Sequence, residues 1–252
     1  MTARATSLPW ALLAAAALCG CAGGAPLLHP AHTLRPGTTS FAAGASGQIA
    51  LRDPSNARDD DERRLHEISV APGVAPFVSG RLGILGNNEA GLTYTGRAVR
   101  LDARHAFDLG GPALSIGLGG SLIFPQRPGR DDDELRLHGG GVDLPILLGV
   151  RSRNDLYALW AGPRVGLQLL SGDAAEPFVG DDPNEPTPPA RDVDGKHLYT
   201  GLVLGMRAGF RHLHVALEID ASYHHAWGSF GDQERAIDQV SITPAGAVVL
   251  SF

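Results

Sequence analysis

From residue 38 to residue 252 apolar and polar residues alternate with a period of two, in runs broken by stretches rich in Gly, Pro, Asn and Asp. That period marks strands with one apolar face, because successive side chains leave opposite sides of a pleated backbone. The runs number ten: residues 38–51, 70–84, 89–95, 98–107, 113–124, 140–150, 156–170, 198–210, 213–223 and 239–252. Alternation alone does not say whether the apolar face points into a sandwich core or out into lipid.

The placement of aromatic residues favours lipid. On the apolar parity, Phe41, Phe107, Tyr157, Phe210 and Phe252 fall at one end of an up-and-down trace, and Tyr94, Phe124 and Tyr223 at the other. Between them stand Ala, Val, Leu and Ile. Two aromatic girdles around an aliphatic band suit a membrane barrel, whereas a soluble core would hold its large rings near the middle. Leu118, Leu148, Leu167, Leu204 and Leu217 are then expected to face outward near mid-height.

The connections alternate as well. Those at 85–88, 108–112, 151–155 and 211–212 are short; those at 52–69, 125–139, 171–197 and 224–238 read as long polar loops. The turn at Thr95-Gly96-Arg97 is the exception. Short periplasmic turns and long outer loops are the habit of such barrels, and an even strand count puts both barrel termini on the periplasmic side.

The opposite face carries Arg81, Glu89, Arg97, Arg100, Asp102, Arg104, Arg164, Arg207, Glu218 and Asp220 among Gly, Ala and Ser. A narrow lumen needs small residues and charges that pair. The expectation is a network of Glu89, Arg100, Asp102, Arg104, Arg164, Arg207, Glu218 and Asp220 that plugs the barrel. Gly117, Gly119 and Gly120 are expected to make room for it.

Composition narrows the picture further. A net charge of −6 argues against a nucleic-acid partner. No apolar run after Leu18 is long enough for a transmembrane helix, which needs roughly 18 residues or more. Beyond Cys21 there is no cysteine, so neither a disulfide nor a thiolate metal site is expected there.

At the N-terminus Arg4 precedes an apolar run, Leu8–Leu18, and then Leu18-Cys19-Gly20-Cys21. This resembles the lipobox of bacterial lipoproteins. The resemblance implies a signal peptide over 1–20, cleavage before an acylated Cys21 and, with Ala22 rather than Asp after it, transfer to the outer membrane. Residues 21–36 are expected to form a short lipidated linker.

Residues 37–252, ending in the alternating Val248-Val249-Leu250-Ser251-Phe252, resemble the small outer-membrane β-barrel proteins of Gram-negative bacteria. The likeness is architectural; no motif matches residue by residue. It implies an all-β, up-and-down antiparallel transmembrane β-barrel of about ten strands. The implied partner is outer-membrane lipid, with the N-terminus anchored on the periplasmic side.

Three polar groups carry candidate chemistry. Arg58-Asp59-Asp60-Asp61-Glu62-Arg63-Arg64-Leu65-His66 recurs as Arg130-Asp131-Asp132-Asp133-Glu134-Leu135-Arg136-Leu137-His138, with eight of nine residues alike at a spacing of 72. Clustered carboxylates are hard ligands for divalent cations, so the acidic outer loops are candidate cation contacts. The flanking arginines favour the plainer reading, solvated charged loops. Residues 171–197 mix acids (Asp173, Glu176, Asp181, Asp182, Glu185, Asp192, Asp194) with Arg191, Lys196 and five prolines, and read as an unstructured outer loop. On the ninth strand His214, Glu218, Asp220 and His224 share the lumen parity, with His225, Asp232 and Glu234 just above. Imidazole beside carboxylate is the material of general base catalysis or metal binding; ion-pair filling is the plainer role.

The resulting expectation is a lipid-anchored, non-catalytic outer-membrane barrel without cofactor, serving envelope structure or surface interaction. A narrow pore or ligand-binding barrel is the first alternative, and a hydrolase using the ninth-strand group is the second.

Overall fold

The structure is a computed structural model and describes residues 23–52, 57–70, 72–124, 135–174 and 191–252. Ten antiparallel strands follow one another around a closed barrel: β1 (Thr39–Ala50), β2 (Gly73–Ile84), β3 (Asn88–Tyr94), β4 (Ala98–Asp108), β5 (Ala113–Ile123), β6 (Leu135–Arg151), β7 (Tyr157–Ala174), β8 (Arg191–Phe210), β9 (Leu213–Phe230) and β10 (Gln233–Ser251). Each strand pairs with its chain neighbours, and β1 closes on β10 from Ser40↔Ser251 to Ala50↔Ser241. Closure leaves no unpaired strand edge, the condition a sheet must meet to lie in hydrocarbon.

The apolar parity faces outward. Leu118, Leu148, Leu167, Leu204 and Leu217 are between 37% and 63% exposed, and the eight girdle aromatics are exposed too. The inner face holds the charges, but also Phe77, Leu147 and Trp160, all fully buried.

The barrel is taller on one side than the alternation implied. β1 to β5 run 7 to 12 residues, while β6 to β10 run 17 to 20. Residues 224–238, expected as a long polar loop, continue the β9–β10 hairpin to the pair Phe230↔Gln233. A two-residue turn closes it, with Gly231 at φ +61° in the first central position, as a type II′ turn requires. Beyond the apolar band both sheet faces meet polar surroundings, so alternation fades while the backbone ladder goes on. Glu176, Asp181, Asp182 and Glu185, the second acidic stretch Arg130–Glu134, and Cys19 and Cys21 lie outside the described residues.

Two further segments pack inside the barrel. The first is a helix, α1 (Asp60–Ser69), where the sequence reads as loop. Asp59 is its N-cap: its carboxylate accepts from the Glu62 N–H at 2.8 Å, and the Glu62 carboxylate accepts from the Arg58 N–H at 2.9 Å. This Asp-x-x-Glu spacing is nearly a capping box, and it was the available signal. The Glu62 N–H, with Arg235 second, holds the Asp59 carboxyl below its ordinary range. Leu65 packs with Ala98, Ile123, Leu170, Val193, Ala226, Phe230 and Ile237, which seats α1 in the long-loop mouth.

The second segment is a strap, residues 23–38. Thr38 donates its N–H to the Arg35 carbonyl at 3.0 Å, and Gly37 has φ +80°, so Arg35-Pro36-Gly37-Thr38 forms a type II turn at the short-turn end. The turn sends the upstream chain back through the lumen. Residues 23–34 therefore occupy the barrel interior, in the stretch that the sequence reads as a short linker. At the far end Gly23 lies against Ala75, beside Gly96 of the β3–β4 turn.

Candidate functional site: the filled lumen

The lumen is filled from the wall inward. Eight inward side chains form one continuous series of alternating charge: Arg104, Glu89, Arg81, Asp102, Arg100, Asp143, Arg164 and Asp220. Arg104 reaches Glu89 at 2.9 Å, and Glu89 also binds Arg81. Arg81 and Arg100 share Asp102 at 2.6 Å each. Arg100 and Arg164 share Asp143 at 2.8 and 2.9 Å, and Arg164 lies 3.9 Å from Asp220. All eight are buried.

The register explains how such bulky groups fit. Gly91 stands between Arg81 and Asp102 in one cross-strand row, and Gly119 between Asp102 and Asp143. A Cβ on Gly91 would meet the Arg81 guanidinium, and one on Gly119 would meet both Arg100 and Asp143. Gly117 is likewise buried, but Gly120, expected inside, faces outward because it sits on the other parity.

The strap is held by its backbone. Glu218 accepts from the Leu27 and Leu28 N–H groups at 2.6 and 2.8 Å and from the Trp160 indole N–H at 3.1 Å. Glu89 accepts from the Leu34 N–H at 2.8 Å. Arginines take the carbonyls: Arg104 binds those of Pro30 and His32, and Arg164 that of Ala25 at 2.5 Å. Ser46 donates to the Gly24 carbonyl at 2.9 Å. Leu27, Leu28 and Ala31 pack with Phe77, Leu147, Trp160 and Val203. Acids meet N–H groups, arginines meet carbonyls, and the strap's apolar side chains find an apolar patch.

Above the strap a cavity of about 70 Å³ separates Gly23–Ala25 from the last turn of α1. Its wall carries a chain of hydrogen bonds: Ser241 Oγ to His224 Nε2 at 2.8 Å, His224 Nδ1 to His197 Nε2 at 2.8 Å, and His197 Nδ1 to Gln168 Oε1 at 3.1 Å. A Gln168 carbonyl acceptor assigns a proton to His197 Nδ1, then to His224 Nδ1, and leaves Nε2 of His224 to accept from Ser241. Both rings are satisfied in the neutral form.

Of the sequence-assigned network, Glu89, Arg100, Asp102, Arg104, Arg164 and Asp220 lie in the charge series. Two residues have other partners. Glu218 meets the strap's N–H groups, since the strap occupies the space where an arginine would reach it. Arg207 lies toward the short-turn end and binds Asp155 of the β6–β7 turn at 2.8 Å. Asp143, absent from the sequence reading, is the central acid; it lies on the lumen parity between the outward Val142 and Leu144.

The ninth-strand group does not assemble into one site. Inward residues two apart on a strand are separated by roughly 7 Å, and each has its own partner. His214 binds the Asp155 carbonyl, Glu218 the strap, Asp220 Ser222, and His224 the histidine chain. His225 pairs with Asp238 on the outside. At α1, Asp59 serves the cap and Arg235, and Glu62 the Arg58 N–H. Among the described residues no cluster of three or more His, Cys, Asp or Glu is placed to hold a metal.

No protein-family model matches the chain, and no curated protein matches it. Among solved structures the chain is similar to Neisserial surface protein A, at 10% identity and TM-score 0.34, covering 85% of this chain and 96% of that one. It is also similar to Ail, the attachment invasion locus protein of Yersinia pestis, at 12% identity and TM-score 0.26, covering 85% and 99%. An active-site mutant of outer membrane phospholipase A from Escherichia coli matches at 14% identity and TM-score 0.27, covering 86% and 91%. Likeness of this degree carries no argument about activity.

The series predicts a specific weak point. Asp143→Ala takes one of two carboxylate partners from each of two buried guanidinium groups, Arg100 and Arg164, and should cost about 3–5 kcal/mol. It should lower the temperature at which the folded band is lost on a gel, whereas Asp108→Ala, at an exposed strand end, should leave it unchanged.

Proposed function

We propose that this chain is a non-catalytic outer-membrane β-barrel, closed by its own N-terminal segment and serving envelope structure or surface interaction. The observation that carries the reading is the outward apolar band with an aromatic girdle at each end, around a closed barrel with a charged interior. Only an apolar solvent makes that arrangement favourable. With the short turns toward the periplasm, as in barrels of this kind, the tall wall of β6 to β10 stands on the outer side.

The non-catalytic reading rests on how the polar residues are used. The Ser241–His224–His197 chain faces a cavity of about 70 Å³, bounded by the strap below and α1 above. That volume holds a few waters rather than a substrate, since ligand sites measure roughly 300–1,000 Å³.

Acylation of Cys21 belongs to the same proposal, supported by the lipobox-like Leu18-Cys19-Gly20-Cys21.

Three outcomes are expected. Leu204→Arg puts a charge in the apolar band and should cost about 2–4 kcal/mol of folding free energy in lipid vesicles, measured by urea titration; an unchanged midpoint would remove the membrane reading. In planar bilayers the wild type should be closed, and Glu218→Ala, which frees two strap N–H groups, should conduct. An open wild type, conducting as Glu218→Ala does, would replace the closed barrel by a pore. Metabolic palmitate should label the wild type and Cys19→Ser but not Cys21→Ser, and label persisting in Cys21→Ser would refute the assignment.

A further inference from the structure

The outward apolar band has a gap where β5 meets the tall wall. Gly120 and Gly140 share the outward parity with Leu122 and Val142, and the four pair as Gly120↔Val142 and Leu122↔Gly140. Two missing side chains on one diagonal leave a recess of about 440 Å³, walled by the exposed Leu122, Val142, Leu167 and Leu169. A Cβ on Gly120 would meet nothing within 4 Å. The recess is open space on the lipid-facing side, and an apolar chain is what gains by filling it.

The band ends just above this recess. In one cross-strand row Leu169, Lys196, Trp227 and Ala236 face outward. Two residues nearer the long-loop end, Ser171, Asp194, Ser229 and Glu234 do the same. The first row holds the only lysine of the chain and an indole, and the second is wholly polar. Between them Leu170 turns inward and Gly195 and Gly228 carry no side chain, so a groove of about 830 Å³ runs between two banks. Leu169 lines both groove and recess, which are therefore continuous.

The banks carry opposite charge. Lys196 stands on the bank beside the apolar band, and Asp194 and Glu234 stand on the bank beyond it. Among the described residues, none of these three side chains has an ion-pair or hydrogen-bond partner. Arg235 also lines the groove, but its guanidinium is spent on Asp59 and Gln233. Lys196 and Asp194 are successive outward residues of β8, roughly 7 Å apart along the strand. A purely anionic headgroup would meet the far bank as a like charge, and a purely cationic one would meet Lys196. A phosphate next to the acyl chains with an ammonium beyond it meets both banks in the right order.

We propose that recess and groove together bind one lipid with a phosphoethanolamine headgroup. An acyl chain fills the gap at Gly120 and Gly140, the phosphate sits on Lys196 beside Trp227, and the ammonium reaches Asp194, with Glu234 further along the same bank. The indole stands at headgroup level, where tryptophan is favoured. A primary ammonium brings three N–H donors to the carboxylates, which a quaternary one cannot do. This site rests on the reading of the outward face as lipid-facing.

Native mass spectrometry of the full barrel in maltoside micelles tests it. Phosphatidylethanolamine, phosphatidylcholine and phosphatidylglycerol with identical chains are titrated in turn, and the affinity of the first bound lipid is read. Phosphatidylethanolamine should bind about fivefold more tightly than the other two, the worth of one surface charge pair. Lys196→Gln and Asp194→Asn should each erase that preference. Gly120→Leu fills the recess without a clash and should weaken phosphatidylethanolamine binding about tenfold, the loss of one or two buried methylene groups. Ala43→Leu, at an exposed position of β1 across the barrel, should change nothing. All four substitutions lie on the outer surface, and heat-modifiable mobility on a gel confirms that each variant folds. Equal affinity of the wild type for the three lipids, a preference for phosphatidylglycerol, or binding unmoved by Gly120→Leu would overturn the site. Each of those results leaves the membrane reading standing, because Leu204→Arg tests that separately.

Discussion

Closing the sheet on itself is the constraint from which the rest of this structure follows. The β1–β10 ladder turns ten strands into a surface without an edge, so every strand can present side chains outward while its backbone stays paired. With the apolar parity outside, the polar parity has to be accommodated in a narrow interior. A buried guanidinium or carboxylate left alone costs several kcal/mol, so the interior is stable only if charge is matched at every point.

The barrel meets that demand in two ways. Along the wall from β2 to β9, four arginines and four acids alternate so that each inner member of the series bridges two of the opposite sign. The glycines at 91 and 119 are the gaps through which the guanidinium groups pass. Where the wall offers apolar side chains and a single acid, the strap fills the space with its own backbone. Glu218 gathers two successive N–H groups, much as an anion sits in a helix N-terminus, and the same carboxylate fixes the Trp160 indole. The result is a plug covalently joined to the barrel through one tight turn.

This division gives the lumen three zones with different chemistry. At the long-loop end α1 and its apolar neighbours close the mouth. In the middle the charge series and the strap lock together, since Glu89, Arg104 and Arg164 bind both. Disturbing any one of them loosens wall and plug at once. At the short-turn end Arg207 pairs with Asp155 beside an open vestibule.

Local pattern was enough to place all ten strands in order, and to place the outward leucines, girdle aromatics and most of the inward charges. Each follows from the two-residue period of the chain and needs no knowledge of distant contacts. Even the strap turn and α1 had local marks, in Pro36-Gly37 and in Asp59-x-x-Glu62. What no local rule supplies is the identity of partners. Glu218 meets Leu27 across 191 positions of sequence, and Arg164 meets Ala25 across 139. Parity says only that Glu218 faces the lumen, and an arginine there would have satisfied it equally well. The choice fell to tertiary structure, because barrel closure decides which inward groups share a level and which one the returning chain reaches first.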